Sequence, residues 1–116
     1  MKQLEVESRL RHIVDACEKV LRYTAGKTYD DYCVDDMLAS AVERQLTIVG
    51  EAVTKIARTD STIAAELGDF PRIIAFRNQL VHNYPDIETD AVWLIVQREL
   101  PLLVERVRAI LGRVSE

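Results

Sequence analysis

Residues 36–58 read DMLASAVERQLTIVGEAVTKIAR, and the apolar side chains of this stretch recur every three or four positions. They form one stripe that contains Leu38, Val42, Leu46, Val49, Val53 and Ile56. Because an α-helix has 3.6 residues per turn, a stripe with this spacing lies on a single helix face, whereas a strand requires strict alternation. The pattern therefore predicts an amphipathic helix that is long enough to cross a domain.

The same periodicity extends to both sides of this helix. It predicts a first helix before Gly26, a second that starts between residues 30 and 36, a short piece over residues 61–67, a third from about residue 70 to 83, and a C-terminal stretch that Pro101 kinks or restarts. Four glycines and three prolines are too few for the many turns of a β fold. The sequence thus predicts an all-α fold, a bundle of four to five helices that forms a single domain over residues 1–116.

Composition excludes several classes of protein. Hydrophobic residues make up 48% of the chain and charged residues 29%, which is too apolar for a disordered protein. No apolar run reaches the roughly 18 residues that a transmembrane helix needs, and the N-terminus lacks the apolar stretch of a signal peptide. We therefore expect a cytoplasmic protein that does not bind membranes. Cys17 and Cys33 are well separated and have no ligand-spaced partners, so reduced, partly buried thiols and no metal are expected.

The net charge is −4. Proteins that bind nucleic acids nonspecifically neutralise phosphates and are usually basic. The charge therefore opposes a general nucleic-acid-binding protein. It is compatible with an enzyme that has a small, local positive site.

Arg77 is the anomaly of the third helix. On a helical wheel it lies near the middle of an apolar arc formed by Phe70, Ile73, Ile74, Phe76, Leu80 and Val81. Because burying an unpaired guanidinium is costly, Arg77 requires a carboxylate, an anionic ligand or a wet crevice that faces another subunit. A structural Arg–Glu pair between helices explains the arc as well as a catalytic role does.

His82 raises a geometric problem. It lies four residues after Asn78, so the two share a helix face, but it lies five residues after Arg77, or about 140° around a regular helix. Arg77 and His82 can therefore meet only if the helix unwinds before Pro85 or if a two-fold axis brings two chains together. The alternative is that His82 is a capping or surface residue, which is the more frequent role of a histidine at a helix end.

Residues 77–84, RNQLVHNY, resemble the Arg-x4-His-x-Tyr signature of HepT-like HEPN proteins. Residues 41–46, AVERQL, and 48–52, IVGEA, are similar to the second-helix pattern of that family, which ends in Gly-Glu-Ala. Trp93 and residues 99–103, ELPLL, resemble its closing segment. The resemblance covers almost the whole chain, and its parts occur in the expected order.

The resemblance implies a ribonuclease that uses no metal and no cofactor, and a homodimer in which two signatures meet at the interface. Arg77 and His82 would then be the catalytic pair, with Asn78 in a supporting role. The chemistry suits these residues, since histidine can exchange protons near neutral pH and arginine can hold two phosphate oxygens. For Arg44 and Glu51 on the second helix, a structural role beside Arg77 is favoured, and Gly50 is expected to permit close helix packing.

The resemblance also implies a toxin of a toxin–antitoxin pair that acts on mRNA or tRNA. Its partner would be a nucleotidyltransferase antitoxin of the MntA type, which transfers AMP to the matching tyrosine, Tyr84. From the sequence alone, Tyr84 could instead simply close the helix before Pro85. The runner-up function is a catalytically silent helical dimer that serves as a binding module for the transferase. A nucleotide-binding bundle lacks support because the chain has no phosphate loop.

Overall fold

The computed structural model describes residues 2–82 and 88–114, and these residues form helices and no strand. The helices are α1 (Lys2–Thr24), α2 (Tyr29–Val34), α3 (Asp36–Thr59), α4 (Ser61–Glu66), α5 (Phe70–His82), α6 (Thr89–Leu94), a π-helical segment (Ile95–Glu99) and α7 (Leu100–Val114). The predicted all-α fold class is confirmed. No helix in the described ranges is both long enough and apolar enough to span a membrane.

The core lies between α1, α3 and α7. Helix α1 packs against both α3 and α7, and the apolar stripe predicted for residues 36–58 is the buried face of α3. Cys17 on α1 is completely buried in this core, and burial raises the pKa of its thiol to about 12. Cys33 is also a free thiol, but it is exposed, so the prediction that the thiols are partly buried is wrong for Cys33.

Short-range capping determines where the helices begin. The Thr28 N–H donates to the Asp31 carboxylate at 2.9 Å, which lowers the pKa of Asp31, and the Asp31 N–H donates back to the Thr28 hydroxyl at 3.1 Å. Asp35 caps α3 by accepting from the Leu38 N–H. The single helix start expected between residues 30 and 36 is therefore two starts, because Asp35 has extended backbone angles that end α2.

The C-terminal helix changes its geometry just before Pro101. In the π-helical segment the Leu100 N–H donates to the Ile95 carbonyl, five residues back instead of four. Pro101 has no N–H to donate to the carbonyl four residues back, where a regular helix would need a donor. The sequence predicts a kink or restart at this proline, and α7 indeed begins at Leu100.

Helix α5 is the outermost of the long helices. It packs mainly on α3, and Leu80 is its only buried side chain. Ile73, Ile74 and Phe76 are half-buried, and Val81 is 43% exposed. A groove separates α5 from the π-helical segment and α7. The helix that carries the sequence signature is thus covered on one side only.

Candidate active site

The site is built on a close contact between α3 and α5. Gly50 of α3 lies directly against Arg77 of α5, and a Cβ atom added to Gly50 would overlap the Cβ and Cγ atoms of Arg77. It would also lie 3.5 Å from the Arg77 Cα atom. The aliphatic stem of Arg77 therefore occupies the space that a side chain at position 50 would fill. This confirms that Gly50 permits close helix packing.

The guanidinium of Arg77 has two polar partners. Its Nη2 atom lies 3.2 Å from Glu51 Oε1, and its Nη1 atom donates to Asn78 Oδ1 at 3.1 Å. The side chain is 25% exposed, and its Nε atom is buried without a hydrogen-bond partner in the described part of the chain. Of the three environments that the helical wheel allows for Arg77, the structure provides a carboxylate.

The Arg77–Glu51 pair is weak enough to open. The Glu51 side chain is 47% exposed, so water screens the pair. Partly exposed ion pairs contribute about 0–1 kcal/mol to stability. Two of the four N–H donors on the Nη atoms of Arg77 are used here, and a phosphate can accept from the other two. Arg77 is thus held in position and can still bind an anion.

His82 is the last residue of α5 and is exposed. Within the described residues, His82 has no hydrogen bond to Arg77. This agrees with the prediction that two residues five positions apart on one helix point in different directions. Asn78 is also exposed and lies one turn before His82. One chain therefore places Asn78 beside Arg77 but does not bring Arg77 and His82 together.

The other predicted residues have different outcomes. Glu51 contacts Arg77 as proposed, whereas Arg44 is exposed and has no ion pair or hydrogen bond in the described ranges. Tyr84 lies outside the described residues. His, Cys, Asp and Glu side chains within those ranges do not form a group of three or more that could hold a metal ion.

Sequence reasoning missed the groove beside α5. This groove has a volume of about 300 Å³, and Arg77 lines it together with Arg106 of α7. Gly68 has a φ of +114°, and a Cβ atom there would lie 2.8 Å from Arg106 Nη1, so this glycine makes room for the second arginine. No sequence pattern could indicate the groove, since it depends on how α5 and α7 pack.

The chain matches the family model described as "Ribonuclease HepT-like" over residues 13–110. A protein named "Putative RNase" from Caldanaerobacter subterraneus subsp. tengcongensis is 28% identical over 104 residues, which cover 90% of this chain and 92% of that protein. One with the same description from Methanocaldococcus jannaschii is 26% identical over 95% of this chain and 100% of its own length.

A third relative is the "Probable ribonuclease HepT" of Thermococcus cleftensis. It is 27% identical over 94 residues, which cover 81% of this chain and 84% of the relative. No match was found among solved structures. Because the family model spans most of the helical bundle, including Gly50, Arg77 and His82, the chain belongs to the HepT-like ribonuclease family.

Proposed function

We propose that this protein is a metal-independent endoribonuclease that acts as the toxin of a toxin–antitoxin pair. The observation that carries the proposal is the environment of the Arg77 side chain. Its stem packs against Gly50 and its guanidinium contacts Glu51 and Asn78, yet it keeps donors for a phosphate on a helix that ends in an exposed histidine.

The residues suit an internal transfer of the phosphate. The ribose 2′-oxygen forms a bond to the adjacent phosphorus, and the bond from phosphorus to the 5′-oxygen breaks. The products are a 2′,3′-cyclic phosphate and a 5′-hydroxyl. His82 takes the 2′-hydroxyl proton and then gives a proton to the leaving 5′-oxygen, since imidazole can do both near neutral pH. Arg77 stabilises the added negative charge on the phosphate oxygens.

The reaction can be tested with purified protein and a single-stranded RNA labelled at one end. We expect cleavage to continue in excess EDTA and the new 3′ end to carry a cyclic phosphate, because only side chains are used. Complete loss of cleavage on chelation, with recovery on adding back a divalent cation, would contradict the proposal.

We expect the active form to be a dimer whose two-fold axis passes near α5. Helix α5 packs mainly on α3, and its apolar residue Val81 is still 43% exposed. A second chain could supply His82 to the Arg77 of the first, which one chain cannot do. Sedimentation velocity at micromolar concentration should show a dimer, and Val81→Glu should shift it toward monomer. A wild-type monomer that cleaves RNA at full rate would refute this arrangement.

We also propose that a nucleotidyltransferase antitoxin of the MntA type inactivates the protein by transferring AMP to Tyr84. The family signature supports this, since Tyr84 lies two residues after His82. An added AMP would bring negative charge to the phosphate site and cancel the field of Arg77. Co-expression with the transferase should raise the mass by one or more AMP groups, and Tyr84→Phe should prevent it. Unmodified wild-type protein beside an active transferase would leave tight binding as the mechanism.

The net charge of −4 favours a second candidate function, a catalytically silent dimer that binds the transferase without cutting RNA. An acidic protein attracts polyanions poorly. The two functions are separated by the same RNA assay. A binding module leaves RNA intact at any concentration of enzyme and still forms a stable complex with the transferase.

A further inference from the structure

The groove between α5 and α7 has arginines along an apolar cavity. Arg77 and Arg106 both line it, and the walls between them include Ile73, Phe76 and Leu103. Its volume is about 300 Å³. That space is at the lower end of the range typical of small-molecule sites, and an apolar cavity with a few polar groups is their usual composition.

Of the three arginines in the groove lining, only Arg106 has no ion pair within the described residues. The carboxylates in the lining are Glu99 and Asp69, and Asp69 accepts from the backbone N–H of Arg72 at 3.2 Å. Arg72 is paired with Glu99 at 3.0 Å, and Arg77 is paired with Glu51 at 3.2 Å. Arg106 donates to the Leu67 carbonyl at 3.4 Å, a long hydrogen bond, and no carboxylate lies within ion-pair distance of it in residues 2–82 and 88–114. An unneutralised guanidinium at the wall of a cavity favours an anionic ligand.

The apolar wall of the groove contains side chains on which a planar ring can stack. Phe76 and Ile73 are half-buried on α5, so each presents part of its side chain to the groove. Nucleobases stack on aromatic and aliphatic surfaces with little dependence on the identity of the base. A nucleobase in the groove would bury the exposed parts of these side chains, while the flanking phosphates could reach the two arginines.

We propose that this groove is a nucleotide subsite, in which one base of the RNA lies against Phe76 and Ile73, one of its phosphates binds Arg77 and the other binds Arg106. The proposal rests on the proposed function, since it makes the phosphate at Arg77 the scissile one. It assigns Arg106 a substrate-positioning role and extends the site from one phosphate to a whole nucleotide.

The subsite leaves room for the proposed dimer. On α5, Phe76 lies roughly 160° from Asn78 and about 120° from His82 at 100° per residue. The apolar wall of the groove therefore lies on the opposite edge of α5 from the two polar residues that the two-fold axis would bring to the seam. Arg77 lies between these two edges, about 100° from Phe76 and from Asn78. A second chain and a nucleobase can use different edges of the same helix.

The test uses adenosine 3′,5′-bisphosphate, a single base between two phosphates, and isothermal titration of the full-length protein. Arg106→Gln should weaken binding by about 10- to 100-fold, as expected for the loss of a charge-assisted hydrogen bond. The matched control is Arg108→Gln, since Arg108 is on the same helix but pairs with Glu18 and does not line the groove. This control should stay within about twofold of wild type.

The base is tested with deoxyribose 3′,5′-bisphosphate, which has the two phosphates without a base. It should bind about tenfold more weakly than the adenosine compound if the ring stacks in the groove. Equal affinity for the two compounds, or equal affinity of Arg106→Gln and Arg108→Gln, would overturn the subsite. A third result would also overturn the subsite: wild type does not bind either bisphosphate, and Arg106→Gln changes the protein from dimer to monomer. This result would show that a second chain fills the groove.

RNA cleavage separates this proposal from the one on which it rests. If wild type cleaves RNA in EDTA while Arg106→Gln and Arg108→Gln share the same kcat/KM, the ribonuclease stands and the subsite fails. If wild type leaves RNA intact but binds the bisphosphate with the expected dependence on Arg106 and on the base, the subsite stands and the ribonuclease fails. A raised KM with unchanged kcat in Arg106→Gln is the expected result, since Arg106 binds a phosphate that does not react.

Discussion

RNA cleavage is expected to fall by about 10²–10⁴-fold in His82→Ala, because proton transfer then depends on water instead of a positioned imidazole. The fold should survive. His82 is exposed at the end of α5, and substitutions at exposed positions usually change stability by no more than about 0.5 kcal/mol. Initial rates on an end-labelled RNA, measured beside a thermal melt followed by circular dichroism, give both quantities.

His12→Ala is the matched control, since His12 is also exposed but lies on α1, away from α5. It should cleave RNA at the wild-type rate. Equal, measurable rates for His82→Ala and wild type would exclude His82 from the reaction, whereas no cleavage by either protein would leave the binding module as the better account.

Arg77→Ala is expected to reduce cleavage by roughly 10²–10³-fold, because the negative charge that develops on the phosphate loses its main donor. It should also lower the melting temperature, since the Arg77 stem packs against Gly50 and its guanidinium neutralises Glu51. Arg77→Lys keeps the charge but not the forked donor geometry. We expect it to melt closer to wild type than Arg77→Ala and still to lose most of its activity. Full activity in Arg77→Lys would show that charge alone is needed.

Gly50→Ala tests the same geometry from the opposite helix. The added methyl group must displace the Arg77 stem, so both stability and cleavage should fall although no polar group is removed. Gly112→Ala is the control, because a Cβ atom at Gly112 has no neighbour within 4 Å. As an exposed glycine-to-alanine change within a helix, it should raise stability by about 0.5–1 kcal/mol and leave cleavage unchanged. Equal effects of the two substitutions would contradict the close contact.

The sequence anticipated much of this site because its signals are local. The apolar arc around Arg77 and the glycine at position 50 are each visible within one helix, and both proved to be parts of one contact. The carboxylate that pairs with Arg77 was less certain, since Glu51 is 26 residues away and side-chain pairing depends on how α3 and α5 cross. The break at Asp35 was missed because a capping aspartate and a helical aspartate look alike in a run of acidic residues.

The position of Arg106 in the groove could not be predicted from the sequence. Its contact with the Leu67 carbonyl joins residues 39 positions apart, and its place in the groove exists only once α4, α5 and α7 are assembled. Charged residues between apolar positions on a helix usually face solvent. Nothing local distinguishes Arg106 from Arg108, which pairs with Glu18 at the surface. The distinction comes from tertiary packing.

The π-helical segment has a consequence for how chains of this kind can differ in length. The π-helical segment between α6 and α7 holds one residue more than a regular α-helical turn. If that residue were removed and the segment became α-helical, the side chains of α6 and α7 would keep nearly the same directions relative to each other. Trp93 packs on Tyr32 before the segment, with ring centroids 5.4 Å apart, and Leu103 is buried after it. A relative that lacks one residue between positions 95 and 99 should therefore keep both contacts. In an alignment of such chains, a single-residue gap between positions 95 and 99 would indicate that the π-helical segment is replaced by a regular α-helix and that the surrounding packing is kept.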